Sequence, residues 1–119
     1  MMIARAGWWG RIFLYRQACD LRRSFDLLAG MVREQLNQDP LSGDLFVFIN
    51  KRRTMLKALY WDSDGYAIWQ KRLERGRFGL PSGNNLELER LDWMHMLEGV
   101  QIGYLKRLPR YKLAKKNSI

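Results

Sequence analysis

The chain has 119 residues, 47% of them hydrophobic, with 21 Lys and Arg against 12 Asp and Glu for a formal net charge of +9. That is one ordinary domain, too apolar for a disordered chain and long enough to hold one hydrophobic core unaided. A single cysteine, Cys19, excludes an internal disulfide, and one histidine, His95, cannot build a typical zinc site with it.

Met1–Gly10 lacks the sustained apolar run of a signal peptide and carries Trp8 and Trp9 between two glycines. No stretch has the length of a membrane span, so a cytoplasmic protein without a membrane partner is expected. Arg11–Tyr15 is a short β-branched and aromatic run that reads as a first strand. Asp20 is placed to cap a helix in which Leu21, Phe25, Leu28, Val32 and Leu36 share one stripe. Arg22, Arg23, Asp26 and Arg33 are left for its other faces. Gly30 inside it suggests close approach of a strand, and Asn37 and Pro40 end it.

Asp39–Gly43 is a turn, and Leu45–Ile49 is a continuous apolar run suited to a strand covered on both faces. Asn50–Thr54 interrupts with a basic loop. Met55–Trp61 and Tyr66–Leu73 are two further strands joined by the turn residues Asp62-Ser-Asp-Gly65. Short connections make the three an antiparallel meander. Gly79–Asn85 reads as a loop, Leu86–Glu89 as a short strand or a helix entry, and Glu89–Glu98 as a second helix on the spacing of Leu91, Met94 and Leu97, closed by Gly99. Beyond Gly99 there are no acids, only six basic residues from Lys106 to Lys116. The expected architecture is α+β: strand, helix, three-stranded antiparallel meander, helix, basic C-terminal tail. Residues 11–99 form the single domain, 1–10 an N-terminal segment, and 100–119 a tail without structure of its own.

The charge excess attracts polyanions, or serves solubility. Its distribution favours the first. Lys51, Arg52 and Arg53 lie at a hairpin tip, and Lys71, Arg72, Arg75 and Arg77 gather at and beyond the end of the last meander strand. Such side chains neutralise phosphates and release counterions, and arginine's planar fork suits phosphate oxygens. The strand aromatics Phe46, Phe48, Tyr60, Trp61, Tyr66 and Trp69 read as core packing before base stacking. Asp62 and Asp64 read as turn residues, since the acids of a calcium loop do not follow them. Cys19 reads as a small packed residue. No Ser/His/Asp order, phosphate-binding glycine loop or paired-cysteine motif is present, so neither an enzyme nor a bound cofactor or metal is expected.

Three stretches carry a family resemblance: Asp20-Leu-Arg-Arg, Asp39-Pro-Leu-Ser-Gly with the strand and Asn50-Lys-Arg-Arg that follow, and Leu56-Lys-Ala-Leu-Tyr-Trp-Asp. The third continues through Lys71-Arg-Leu-Glu-Arg-Gly-Arg-Phe78. Together they resemble the TnpB accessory protein, the second open reading frame, of the insertion-sequence-sixty-six family of bacterial transposable elements. The resemblance implies a non-catalytic role in transposition, beside a larger transposase and a third small element-encoded protein, both expected partners. It supplies no established binding residues. Element-end DNA is therefore expected at Lys51, Arg52, Arg53, Lys71, Arg72, Arg75 and Arg77. A protein-docking surface around Arg22, Arg23 and Trp61 is the alternative, because Trp and Arg concentrate at interface hot spots.

Overall fold

The computed structural model describes residues 10–101 and 106–107. Within them the chain runs β1 (Ile12–Leu14), α1 (Phe25–Gln35), β2 (Leu45–Ile49), β3 (Met55–Asp62), β4 (Gly65–Arg72), β5 (Glu87–Leu88), α2 (Arg90–Glu98), β6 (Val100–Gln101) and β7 (Lys106–Arg107). The expected α+β order is therefore present. Five strands make one sheet in the order β4-β3-β2-β1-β5. The meander β2-β3-β4 is antiparallel, with Phe46 opposite Leu59 and Ala58 opposite Trp69. Strand β1 pairs parallel with β2, Ile12 opposite Leu45, and antiparallel with β5. A parallel pair needs a long crossover, which here contains α1.

The two helices cover opposite faces of this sheet. Because side chains alternate along a strand, Phe13, Phe46, Phe48 and Leu59 turn to one face. There they join Leu28, Val32 and Leu36 of α1 and its C-cap. Ile12, Leu14, Leu45, Val47, Leu56 and Ala58 turn to the other and meet Trp93, Met96 and Leu97 of α2. This explains why Leu45–Ile49 is apolar at every position: all five residues are buried. Lys57 interrupts the apolar pattern of β3 on the α1 face. It is only 9% exposed, and its ammonium donates to the Arg23 carbonyl at 2.9 Å. A buried amine needs such an acceptor, so Lys57 links the sheet to the chain entering α1.

Helix α1 departs from expectation at its start and at Gly30. Helix α1 begins after Ser24, four residues later than the Asp20 cap requires. The Asp20 carboxylate instead accepts the Arg22 backbone N–H at 3.0 Å and pairs with the Arg22 guanidinium, closing a turn upstream of the helix. Leu21 is buried from that turn, and Phe25 is exposed. Gly30 makes no close approach, since a Cβ there would meet nothing within 4 Å. The C-terminal end is as expected: Asn37 takes a left-handed φ of 54° and stops the helix.

In α2 the extent is right, and of the expected stripe Leu97 is buried while Leu91 and Met94 are exposed. Gly99 closes the helix in the left-handed conformation with φ 81°. Leu91 is 59% exposed, however, while Trp93, outside the expected Leu91-Met94-Leu97 stripe, is 1% exposed. Beyond Gly99, where no structure was expected, β6 and β7 pair antiparallel, Val100 opposite Arg107. The rest of the basic tail, and Trp8 and Trp9, lie outside the described residues.

The Asp39–Asp44 turn is held by its own side chains. The Asp39 carboxylate accepts the Leu41 N–H at 2.9 Å, and Gly43 adopts a φ of 89°. Asp44 accepts the Arg11 N–H at 2.9 Å, which fixes the start of β1 beside that of β2. Trp93→Ala is expected to lower stability by about 3–5 kcal/mol. Leu91→Ala should stay within about 0.5 kcal/mol. Urea unfolding followed by circular dichroism measures both; equal losses would mean that Leu91 shares the buried face.

Candidate nucleic-acid interface

The turn between β2 and β3 is built around one side chain. Asn50 is half-buried and faces inward, its amide oxygen accepting the N–H groups of Thr54 at 2.9 Å and Met55 at 3.0 Å. Its amide nitrogen donates to the Thr54 hydroxyl at 3.1 Å. The Arg53 N–H donates to the Asn50 carbonyl at 3.0 Å, and Arg53 is held at a left-handed φ of 60°. That conformation costs an L-residue roughly 1–2 kcal/mol, which the Asn50 hydrogen bonds offset. Lys51 and Arg52, between these anchors, are exposed.

The second basic segment is docked onto this turn. As β4 ends, the Leu73 N–H donates to the Thr54 carbonyl at 2.7 Å, and the Phe78 N–H donates to the Arg53 carbonyl at 2.7 Å. Gly76 bends the intervening chain with a φ of 83°. Phe78 is fully buried in the α2-side core, and the Gly79 N–H reaches the Met96 carbonyl at 3.2 Å. Residues 73–78 thus form a strap across the hairpin tip.

The two basic clusters become one surface. Lys51, Arg52, Arg72, Arg75 and Arg77 are exposed, and Arg53 is half-buried. Burial first, and the positive charge of Arg77 second, push the Arg53 guanidinium below its ordinary pKa. An arginine stays charged regardless, so this surface holds like charges close together. Arg72 pairs with Glu74 at 3.2 Å. Lys71 does not share a face with Arg72: alternation along β4 sends it toward the α2 side.

The alternative protein-docking residues are more dispersed. Arg22 is engaged by Asp20 at 2.7 Å, and this contact holds the Asp20 carboxyl well below its usual range. Arg23 is exposed and donates to the Met31 sulfur at 3.1 Å. Trp61 is half-buried and packs edge-on against Tyr66, ring centroids 5.1 Å apart. It lies four strand residues beyond Lys57, roughly 13 Å from the point where Arg23 meets the sheet.

Neither sheet face is an open stacking platform, because α1 and α2 cover them and Phe46 and Phe48 are fully buried. Cys19 is buried too, and burial pushes its thiol up, away from a reactive thiolate. Among the described residues no three His, Cys, Asp or Glu side chains gather as metal ligands would. Within the same residues no helix is long and apolar enough to cross a membrane.

Two positioning residues escape a reading by motif. Arg16 donates its guanidinium to the Pro81 and Asn85 carbonyls and fastens the 81–85 loop to the end of β1. Lys57 is the other, and its signal was visible: a lone lysine inside an apolar strand.

A protein-family model, described as IS66 Orf2 like protein, matches residues 10–107. The chain belongs to the IS66 Orf2-like family. Two uncharacterized proteins of Sinorhizobium fredii (strain NBRC 101917 / NGR234) are similar to it. The protein y4hO is 35% identical over 92 residues, covering 76% of this chain and 80% of that one. The protein y4jC is 34% identical over 101 residues, covering 83% and 86%. No solved structure matches. Membership in the IS66 Orf2-like family ties the chain to insertion sequences and implies an accessory role in transposition.

Several residues that carry the family resemblance have structural work. Asp20 and Asp39 close turns, Lys57 bridges to α1, Gly76 bends the strap and Phe78 anchors it. Asn50→Ala removes three side-chain hydrogen bonds from the hairpin tip and is expected to lower stability by about 1–3 kcal/mol. Amide hydrogen exchange should rise at Thr54, Met55 and Phe78. Unchanged exchange at Phe78 would show that the strap holds without the turn.

Proposed function

We propose that this IS66 Orf2-like protein is a non-catalytic accessory factor of transposition that binds duplex DNA through the surface formed by Lys51–Arg53 and Arg72–Arg77. The observation that carries the reading is the strap. Two basic segments some twenty residues apart in sequence are fastened by the Leu73–Thr54 and Phe78–Arg53 hydrogen bonds, so that Arg53 and Arg77 lie together. No carboxylate among the described residues pairs with Arg53, and a phosphate oxygen supplies the missing charge. Lys71 adds to the field from the other side of β4.

Contacts of this kind fix position on the duplex without reading bases, so binding is weakly sequence-selective and steeply salt-dependent. In transposition such a factor would hold element ends for the transposase. Docking on the transposase or the third element-encoded protein through Arg22, Arg23 and Trp61 without DNA draws less support. Asp20 already neutralises Arg22, and Trp61 packs on Tyr66.

Lys51→Gln, Arg52→Gln and Arg53→Asn together remove three charges, and Asn tolerates the left-handed backbone at position 53. The logarithmic salt slope of DNA binding should flatten by up to about 3. A salt-titrated fluorescence-anisotropy assay on element-end, random and single-stranded DNA reads this. An unchanged slope would remove the turn from the interface. Transposase association that survives nuclease treatment and ignores these substitutions would favour the docking reading.

A further inference from the structure

Beyond DNA binding, we infer that β4 is a self-association edge, on which a second copy of the chain adds its own β4 in antiparallel orientation. Strand β4 is an outer strand of the sheet and runs eight residues, whereas the opposite outer strand, β5, has two. Natural sheets blunt long edges with charge, proline or bulges. Here the register with β3 is unbroken from Met55–Arg72 to Asp62–Gly65, and Gly65–Gln70 contains neither proline nor charge.

The free backbone groups can be assigned. The Leu73 N–H points to Thr54, so the odd-numbered residues of β4 face β3. Tyr66, Ile68, Gln70 and Arg72 therefore turn their N–H and C=O groups to the open side. Among the described residues none of these four N–H groups has an acceptor.

The charges select the occupant. One end of β4 carries Lys71 and Arg72, with Arg75 beyond, and the other begins at the Asp62–Asp64 turn. Antiparallel pairing with a second copy sets the basic end of each strand toward the acidic turn of the other; parallel pairing would oppose like charges. The register that uses all four outward residues is centred on Trp69. It pairs Tyr66 with Arg72 of the second copy and Ile68 with Gln70 of the second copy. The two Trp69 residues then face each other at a non-hydrogen-bonded position, with Cα atoms about 4.5 Å apart. Trp69 is half-buried against the α2-side core and has surface left for this contact. The product is one continuous sheet in which Arg72 belongs to the seam and Lys51–Arg53, on the β2-β3 turn, do not.

The test is sedimentation of the nuclease-treated protein at about 10–100 µM, where the full chain should have twice the monomer mass. Gln70→Pro removes an N–H that β3 does not use, as edge strands allow, and should weaken the dimer at least about tenfold. Retained circular dichroism separates that loss from unfolding. Trp69→Cys should form a disulfide-linked dimer on mild oxidation, because the Cα separation suits the bond, while Ala67→Cys should not. Asp62→Lys with Asp64→Lys should weaken association and high salt should restore it. A monomeric chain at the highest concentration overturns the inference. So does a dimer that a folded Gln70→Pro variant leaves intact, or one in which Trp69→Cys does not cross-link.

Discussion

Two backbone hydrogen bonds tie the far end of β4 to the β2-β3 turn, one from Leu73 to Thr54 and one from Phe78 to Arg53. Without them the strap 73–78 would be a surface loop of ordinary freedom, and its arginines would average over many positions. With them, and with Phe78 buried as a plug, the strap is held at both ends. Asn50 supports the same turn from within. The basic surface is thus a consequence of core packing: the α2-side core captures Phe78, and the arginines follow.

Holding Arg53 beside Arg77 is unfavourable in the free protein, because like charges repel and Arg53 is partly withdrawn from water. The exposed ion pairs elsewhere, Arg11–Glu87 and Arg22–Asp20, add little to stability in solvent. They matter more for what they remove, since both arginines are neutralised where they stand. The field that a polyanion meets is therefore uneven. It is strong over the turn and strap and weaker near the entry to α1.

Much of the fold was legible in the residues themselves. The unbroken apolar run Leu45–Ile49 announced a strand covered on both faces, the Asp62–Gly65 turn fixed the meander, and Gly99 marked the end of α2. Local chemistry sufficed in each case. It misled at Asp20, a good cap residue whose carboxylate was captured by Arg22 two positions on, leaving α1 to start at Phe25. It misled again in α2, where Leu91, Trp93, Met94, Met96 and Leu97 offer more than one apolar stripe and only the sheet decides which is buried. The parallel pairing of β1 with β2 and the two-residue strand β5 are long-range features with no local mark. The site divided the same way. Both basic runs were visible as charge, but the closeness of Arg53 and Arg77 depends on the Met55–Arg72 register and on Phe78. Lys71 and Arg72, neighbours in sequence, were separated by the same strand geometry.

Turn and strap are proposed to act as one DNA-binding surface. A nuclear magnetic resonance titration of the labelled protein with a short duplex addresses it residue by residue. Backbone signals of Lys51–Arg53 and Arg75–Arg77, and the guanidinium signals of Arg52, Arg53, Arg75 and Arg77, should shift together, with a single apparent affinity that weakens as salt rises. Shifts confined to one of the two segments, or concentrated around Arg22, Arg23 and Trp61, would contradict the account.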